Sequence, residues 1–153
     1  MKNKLKLKIE LVPKSCWFSN LRDHLSKEQW DIIKKETFKK AENRCQICNG
    51  IGKKWPVECH EIWIYNDIQK IQRLEGTIAL CPDCHSVKHI GFAQIIGKFE
   101  TAKKHFKKIN KLTEEEALIE IKNAFKIFNE RSKKNWILDI SIIEKKFNIF
   151  FDK

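Results

Sequence analysis

Residues 45–48 read CQIC and residues 81–89 read CPDCHSVKH, and these two stretches decide how the chain folds. Each Cys-x-x-Cys turn can present two thiolates to one ion, and four soft ligands in a tetrahedron satisfy Zn²⁺. Asn and Gly at positions 49 and 50 suit the tight turn that a zinc knuckle needs. The spacing therefore predicts a structural zinc site with four ligands: Cys45, Cys48, Cys81 and Cys84.

The stretch between the two cysteine pairs has the pattern of a β-hairpin that leads into a helix. Residues 57–65 read as one strand and residues 71–74 as its partner, with Asn66 and Asp67 in the turn. Pro82 favours the first turn of a helix, where its missing N–H would be unpaired anyway. We therefore expect a short helix over residues 82–90.

Two alternating apolar stretches lie outside this middle region. Residues 4–11 place leucine and isoleucine on one face and mostly lysine on the other, and residues 136–143 alternate in a similar way. Strict alternation is typical of a half-buried strand. Because a lone strand is unstable, we expect the two stretches to pair with each other in a small sheet.

The remaining sequence is helical in pattern. Ser26 and Gln29 form the signature of a capping box, and the helix that follows is expected to run to about Asn43. Thr113 and Glu116 repeat this signature before a second helix. The lysine-rich residues 98–111 form a further basic helix between them.

Three histidines lie close to the zinc cysteines in the sequence. His85 and His89 are four residues apart on the predicted helix, so they share one face, and His60 lies on the first hairpin strand. Together they could make an open metal site that leaves a position for water or phosphate. Glu61, next to His60, is a candidate base for activating an attacking water. The alternative for His85 and His89 is a surface pair without function.

The same residues resemble the HNH endonuclease family. Residues 57–63 (VECHEIW) are similar to its histidine-bearing strand, and residues 79–89 (ALCPDCHSVKH) to its LCxxCHxxKH helix. Segments 11–21, 44–48, 55–63 and 78–91 also resemble one bacterial branch of HNH-like proteins. The resemblance implies an α+β fold, with a ββα-metal, treble-clef-like zinc core and flanking helices. It also implies a metal-dependent DNA nuclease with a second, catalytic divalent ion: Mg²⁺, Mn²⁺, Ni²⁺ or Zn²⁺.

The resemblance leaves two registers open on the first strand. In the family, one strand residue binds the metal and the next acts as base. In the first register His60 binds the metal beside His85 and His89, and Glu61 is the base. In the second register Cys59 binds the metal and His60 is the base. We favour the first register, and we note that the family's middle asparagine falls at Gly76.

The charge of the chain points to a polyanionic partner. Lys plus Arg number 31 against 20 Asp plus Glu, which gives a net charge of +11. Nucleic acid is the first candidate partner and an anionic membrane surface the second, while a generally lysine-rich composition is the unspecific alternative. The apolar runs are far shorter than the ~20 residues that span a bilayer, and residues 1–11 lack the apolar region of a signal peptide. We expect no membrane association and a cytoplasmic location.

These observations predict one domain over residues 1–153. A zinc module at 44–91 would lie between an N-terminal strand and helix (1–43) and C-terminal helices with a strand (92–153). The leading function is metal-dependent hydrolysis of nucleic-acid phosphodiester bonds, in DNA rather than RNA. One alternative is a non-catalytic zinc module that binds nucleic acid or a protein partner, and another is an RNA-directed nuclease or toxin.

Overall fold

The structure is a computed structural model that describes residues 4–17 and 21–149. The ends of the predicted domain, and residues 18–20 of the resembling segment 11–21, lie outside the described residues. The described chain is a mixed α+β arrangement in which helices pack on a three-stranded sheet. The elements, in chain order, are α1 (Lys27–Lys40), β1 (Glu58–Asn66), β2 (Ile71–Leu80), α2 (Pro82–Lys88), α3 (Ile90–Ile95), α4 (Phe99–Asn110), α5 (Glu114–Ser132), β3 (Ile137–Asp139) and α6 (Ile142–Phe147).

Strands β1 and β2 form the predicted antiparallel hairpin. Asn66 closes its turn, because the Asn66 Oδ1 atom accepts hydrogen bonds from the backbone N–H groups of Ile68 and Gln69. The second strand continues to Leu80, beyond the predicted end at residue 74. The register shifts between Ile62, which pairs with Gly76, and Trp63, which pairs with Leu74. Glu75 is the extra residue of this irregularity, and the pairing continues on both sides of it.

The two faces of the hairpin pack against different helices. Thr77 on β2 bonds to Thr37 of α1 through their Oγ1 atoms at 2.6 Å, and the Cys59 thiol also reaches Thr37. The opposite face carries Ile78 and Leu80, which belong to a core shared with α2 and α4. A second core lies on the α1 side and includes Ile33, Leu74 and Ile143. The hairpin and α2 are thereby fixed from both sides.

Both predicted capping boxes are confirmed. The Ser26 and Thr113 hydroxyls accept from the N–H groups of Gln29 and Glu116, whose side chains bond back to the cap N–H groups. Helix α1 ends at Lys40, before the expected Asn43, because Glu42 and Asn43 adopt left-handed backbone angles.

The helix predicted over residues 82–90 begins at Pro82 as expected but is split in two. Helix α2 ends at Lys88, and α3 starts at Ile90. His89 lies at the junction with a non-helical φ of −108° and ψ of 45°. The junction turns the chain directly behind His89.

The prediction of a strand over residues 4–11 is wrong. The alternation does mark the buried face, because Leu5, Leu7, Ile9 and Leu11 belong to the core beside α2 and α4. The backbone, however, bonds to a side chain rather than to another strand. The Asn110 carboxamide accepts from the N–H groups of Lys6 and Leu7 and donates to the Leu7 carbonyl.

The pairing predicted between residues 4–11 and residues 136–143 is also wrong. Only Ile137–Asp139 forms a strand there, and β3 pairs in parallel with β2 through Ile71 and Ile137. Asp139 ends the strand, since its Oδ1 atom accepts from both the N–H and the hydroxyl of Ser141. Helix α6 follows immediately. In the described part of the chain, no helix is both long and apolar enough to cross a membrane.

Candidate metal centres

The four cysteines predicted as zinc ligands come together at the base of the hairpin. Their Sγ atoms all lie within 4.8 Å of one another, and those of Cys48 and Cys81 are 3.6 Å apart. A tetrahedral zinc ion with Zn–S bonds of about 2.3 Å separates its sulfurs by about 3.8 Å. The spacing of these thiols therefore suits a four-coordinate metal ion, and the cluster could hold a structural one.

The backbone around each cysteine pair is shaped to point N–H groups at sulfur. The N–H of Cys48 donates to the Cys45 sulfur, and that of Gly50 to the Cys48 sulfur. The N–H of Cys84 donates to the Cys81 sulfur at the start of α2. Such N–H donors stabilise thiolates, because hydrogen bonds to the charged form favour it.

The pKa values of the cysteines indicate that a cation is needed before all four thiols can ionise. Hydrogen bonding with Cys45 and then with Cys81 raises the pKa of Cys84, and hydrogen bonding with Cys45 raises the pKa of Cys81 to about 12. Four thiolates cannot coexist here unless a positive ion offsets their repulsion. The His105 Nε2 atom lies 3.2 Å from the Cys84 sulfur and can donate a hydrogen bond to it. Sequence reasoning missed this contact from α4.

The three predicted histidines form a second, separate cluster. One ring nitrogen from each of His60, His85 and His89 lies within 4.8 Å of the others, and the ring centroids are 4.9–5.2 Å apart. His60 projects from β1, while His85 projects from α2 and His89 from the junction that follows it. Only 4% of the His60 residue surface is exposed. Three converging imidazoles are a recognised donor set for a divalent ion that keeps an open coordination position.

Burial keeps these imidazoles in the form that binds metals. Desolvation lowers the pKa of His89 to about 3, and desolvation also lowers the pKa of His60, partly offset by a hydrogen bond to Glu10. Both rings are therefore neutral at pH 7, with lone pairs free for coordination. The donor set and its protonation state fit a metal ion.

Two glutamates hold the histidine rings from outside the cluster. The Glu58 Oε2 atom lies 2.7 Å from His85 Nδ1, and the Glu10 Oε2 atom lies 3.4 Å from His60 Nε2. The other Glu10 oxygen accepts from the buried Lys88 ammonium at 3.0 Å. Carboxylates bonded to ligand histidines fix ring orientation and strengthen metal binding.

Sequence reasoning missed both glutamates. Glu58 carried a usable signal, because residues two apart on a strand share a face and Glu58 precedes His60 by two. Glu10 carried none, since it lies on the N-terminal segment and reaches the site only through the tertiary fold. Burial tends to raise the pKa of Glu10, but the hydrogen bond to His60 and the charge of Lys88 outweigh it.

The two registers assign different residues of β1 to the metal, and the structure shows which of these residues lie near His85 and His89. Neighbouring strand residues face opposite sides, and Glu61 pairs across the hairpin with Thr77, which contacts α1. Cys59 also contacts α1 through Thr37, and burial raises the pKa of its thiol. Cys59 is therefore not among the clustered donors, whereas His60 is. Of the two β1 residues that the first register uses, His60 clusters with His85 and His89, while Glu61 lies on the strand face directed towards α1.

Glu61 and His60 both line a pocket at the free edge of β1, whereas His85 and His89 are not part of its lining. This pocket of about 150 Å³ lies between the N-terminal segment and α5, and Glu10 also contributes to its lining. Burial raises the pKa of Glu61, and the positive charge of Arg22 partly offsets this rise. A carboxylate with a raised pKa is a better proton acceptor near neutral pH.

Comparison of the chain with models of protein families, with curated proteins and with solved structures gives no match. The assignment of a function therefore rests on the residues and on their geometry.

Replacing a zinc ligand should unfold the base of the hairpin. We expect Cys84→Ser to lose zinc and to lower the melting temperature strongly, because structural zinc binding is coupled to folding. Cys16→Ser, a buried thiol outside the cluster, should keep its zinc. Metal analysis and thermal unfolding measure both effects. Full zinc content and an unchanged melting curve in Cys84→Ser would show that the cysteines are not zinc ligands.

Replacing Glu10 should weaken metal binding at the histidines alone. Glu10→Gln keeps the shape but removes the charge next to His60, and loss of such a partner typically costs about 10–100-fold in affinity. Calorimetric titration of the zinc-loaded protein with Ni²⁺ measures this affinity. Glu115→Gln removes an exposed carboxylate of α5 and serves as the charge-matched control. Equal affinities in both variants would contradict an orienting role for Glu10.

Proposed function

We propose that this chain is a metal-dependent nuclease of HNH type, which hydrolyses phosphodiester bonds in nucleic acid, with DNA rather than RNA as substrate. The observation that carries the proposal is the meeting of His60, His85 and His89 beside a pocket that also contains Glu61. The succession of β1, β2 and α2 around a four-cysteine cluster supports a ββα-metal, treble-clef-like core. The sequence resemblance to HNH endonucleases agrees with this arrangement.

Each residue around the histidine cluster can be given a separate role in phosphodiester hydrolysis. His60, His85 and His89 would hold a divalent ion, which would supply Lewis-acid stabilisation to the leaving oxygen of the phosphodiester. Glu61 would take a proton from the attacking water, a task for which its burial and raised pKa are suited. Lys88, buried beside Glu10, adds positive charge close to the same pocket. Glu10 and Glu58 keep His60 and His85 in position.

The positive charge of the chain supports nucleic acid as the partner. Of the lysines on α4, however, some are already paired with a carboxylate. Lys103 and Lys107 on α4 both bond to Glu114 at the start of α5. Lys104 and Lys108 make no ion pair within the described residues and are exposed. The lysines available to neutralise phosphates on α4 are therefore Lys104 and Lys108.

A non-catalytic zinc module remains the second candidate. The four cysteines alone can fill the coordination of a zinc ion, so a structural module needs none of the histidines. Glu61 also lies on the opposite strand face from His60, which does not suit a base acting beside it. Such a module would bind nucleic acid or a protein partner without cleaving it. The two candidates differ in metal content, since only the nuclease needs a labile divalent ion in addition to zinc.

Variants of the histidine site should separate metal binding from proton transfer. We expect His60→Ala to lose the second ion and all cleavage of plasmid DNA by the protein with Mg²⁺, Mn²⁺, Ni²⁺ or Zn²⁺. Glu61→Gln should keep the ion but lower the rate by roughly 10²–10⁴-fold, which is the usual contribution of a general base. Zinc at the cysteines should stay in both variants.

His24→Ala is the matched control, because His24 lies outside both metal clusters. If His60→Ala keeps the second ion while Cys59→Ser loses it, the other register is correct. If no added ion binds and neither DNA nor RNA is cleaved, the non-catalytic zinc module is the function to retain.

The two pairs of lysines on α4 offer a direct test of DNA contact. Each lost phosphate contact should lower the slope of log affinity against log salt by about 0.9. Lys104→Ala with Lys108→Ala should therefore flatten the salt dependence of duplex binding, measured by fluorescence anisotropy. Lys103→Ala with Lys107→Ala removes the same charge from the lysines paired with Glu114, so its slope should change less. Equal slopes in both double variants would remove α4 from the DNA interface.

A further inference from the structure

A short loop that the nuclease chemistry does not use is linked to the histidine cluster through Glu58. Its sequence, residues 51–56, is IGKKWP. Lys53 and Lys54 are exposed and make no ion pair within the part of the chain that the structure describes, and Trp55 is 51% exposed. The loop therefore presents two positive charges beside an exposed aromatic ring, which is the combination that single-stranded nucleic acid binds.

The loop is held in one shape by a close approach of its backbone. The Gly52 N–H donates to the Pro56 carbonyl, which closes the loop. A Cβ atom on residue 52 would lie 2.2 Å from the Trp55 carbonyl oxygen and 2.7 Å from Pro82 Cδ. Only glycine fits there, so the loop is pinned between its own backbone and the first residue of α2. Its conformation is set before any ligand binds.

The tryptophan ring is tied to a candidate metal ligand. The indole N–H of Trp55 donates to Glu58 Oε1 at 3.1 Å, while Glu58 Oε2 bonds to His85 Nδ1. One carboxylate therefore separates the exposed ring from the histidine cluster. Two hydrogen bonds through Glu58 thereby join the exposed ring to one imidazole of the cluster.

We propose that Trp55, with Lys53 and Lys54, forms a stacking site for an unpaired nucleobase next to the phosphate at the histidine cluster. The proposal rests on the proposed function and adds to its site a preference for nucleic acid with unpaired bases beside the cut. Aromatic side chains beside a cationic groove bind single strands in this way, because every base has a stacking face. A base inside a duplex is already stacked on both sides and cannot offer that face.

The test is a binding measurement that needs no cleavage. Fluorescence anisotropy with an end-labelled oligothymidylate, and with a matched duplex, is recorded on the full zinc-loaded chain without added divalent ion. Trp55→Ala should weaken single-strand binding about 5- to 150-fold, which is the usual range for one stacked base. Duplex binding should change little. The same variants with an oligouridylate show whether the site distinguishes DNA from RNA.

Matched variants decide whether stacking is responsible. Trp17 is also 51% exposed but contacts Val12 and Phe128, so Trp17→Ala should bind the single strand as the wild type does. Trp55→Phe keeps a ring and should bind better than Trp55→Leu, which keeps only bulk and guards against loss of fold. Equal binding by the Phe and Leu variants, or equal losses for single strand and duplex, would overturn the proposal. Failure of the nuclease assay alone would leave this binding result standing.

Discussion

Four thiols within 4.8 Å of one another are the constraint on which the rest of the structure depends. Hydrogen bonding among them raises the pKa of Cys81 and Cys84, and with a divalent ion the same proximity would become four bonds. Those bonds would tie the turn before the hairpin to the first turn of α2. Such a link would fix both ends of the hairpin, and the sheet of the described residues has three strands.

The same short helix carries residues of both clusters. Cys84 belongs to the cysteine cluster and His85, the next residue, to the histidine cluster, so an ion at the cysteines would set the position of the candidate catalytic ligands. The N-terminal segment completes the second centre, because its Glu10 bonds to both His60 and Lys88. An ion at the cysteines would hold α2 against β1 and so keep the histidines together. Replacing a cysteine of the cluster should therefore also weaken metal binding at the histidines.

The sequence was most informative where one local interaction decides the structure. The capping boxes at Ser26 and Thr113 and the start of α2 at Pro82 are such cases, and the four cysteines and the three histidines each lie together as residue type and spacing predicted. It failed at residues 4–11, because alternation reports which side chains are buried but not which group pairs with the backbone. There Asn110 takes the place of a neighbouring strand. Glu10 could not be found either, since its partners are set by the tertiary fold alone.

The central claim is that two metal centres of different chemistry share one hairpin and helix. Anomalous diffraction from crystals of the zinc-loaded protein soaked in Mn²⁺ tests it directly, with data collected at the zinc and manganese edges. The account predicts a zinc peak among Cys45, Cys48, Cys81 and Cys84, and a separate manganese peak among His60, His85 and His89. A map with density only at the cysteines, or with manganese away from the three histidines, would contradict it.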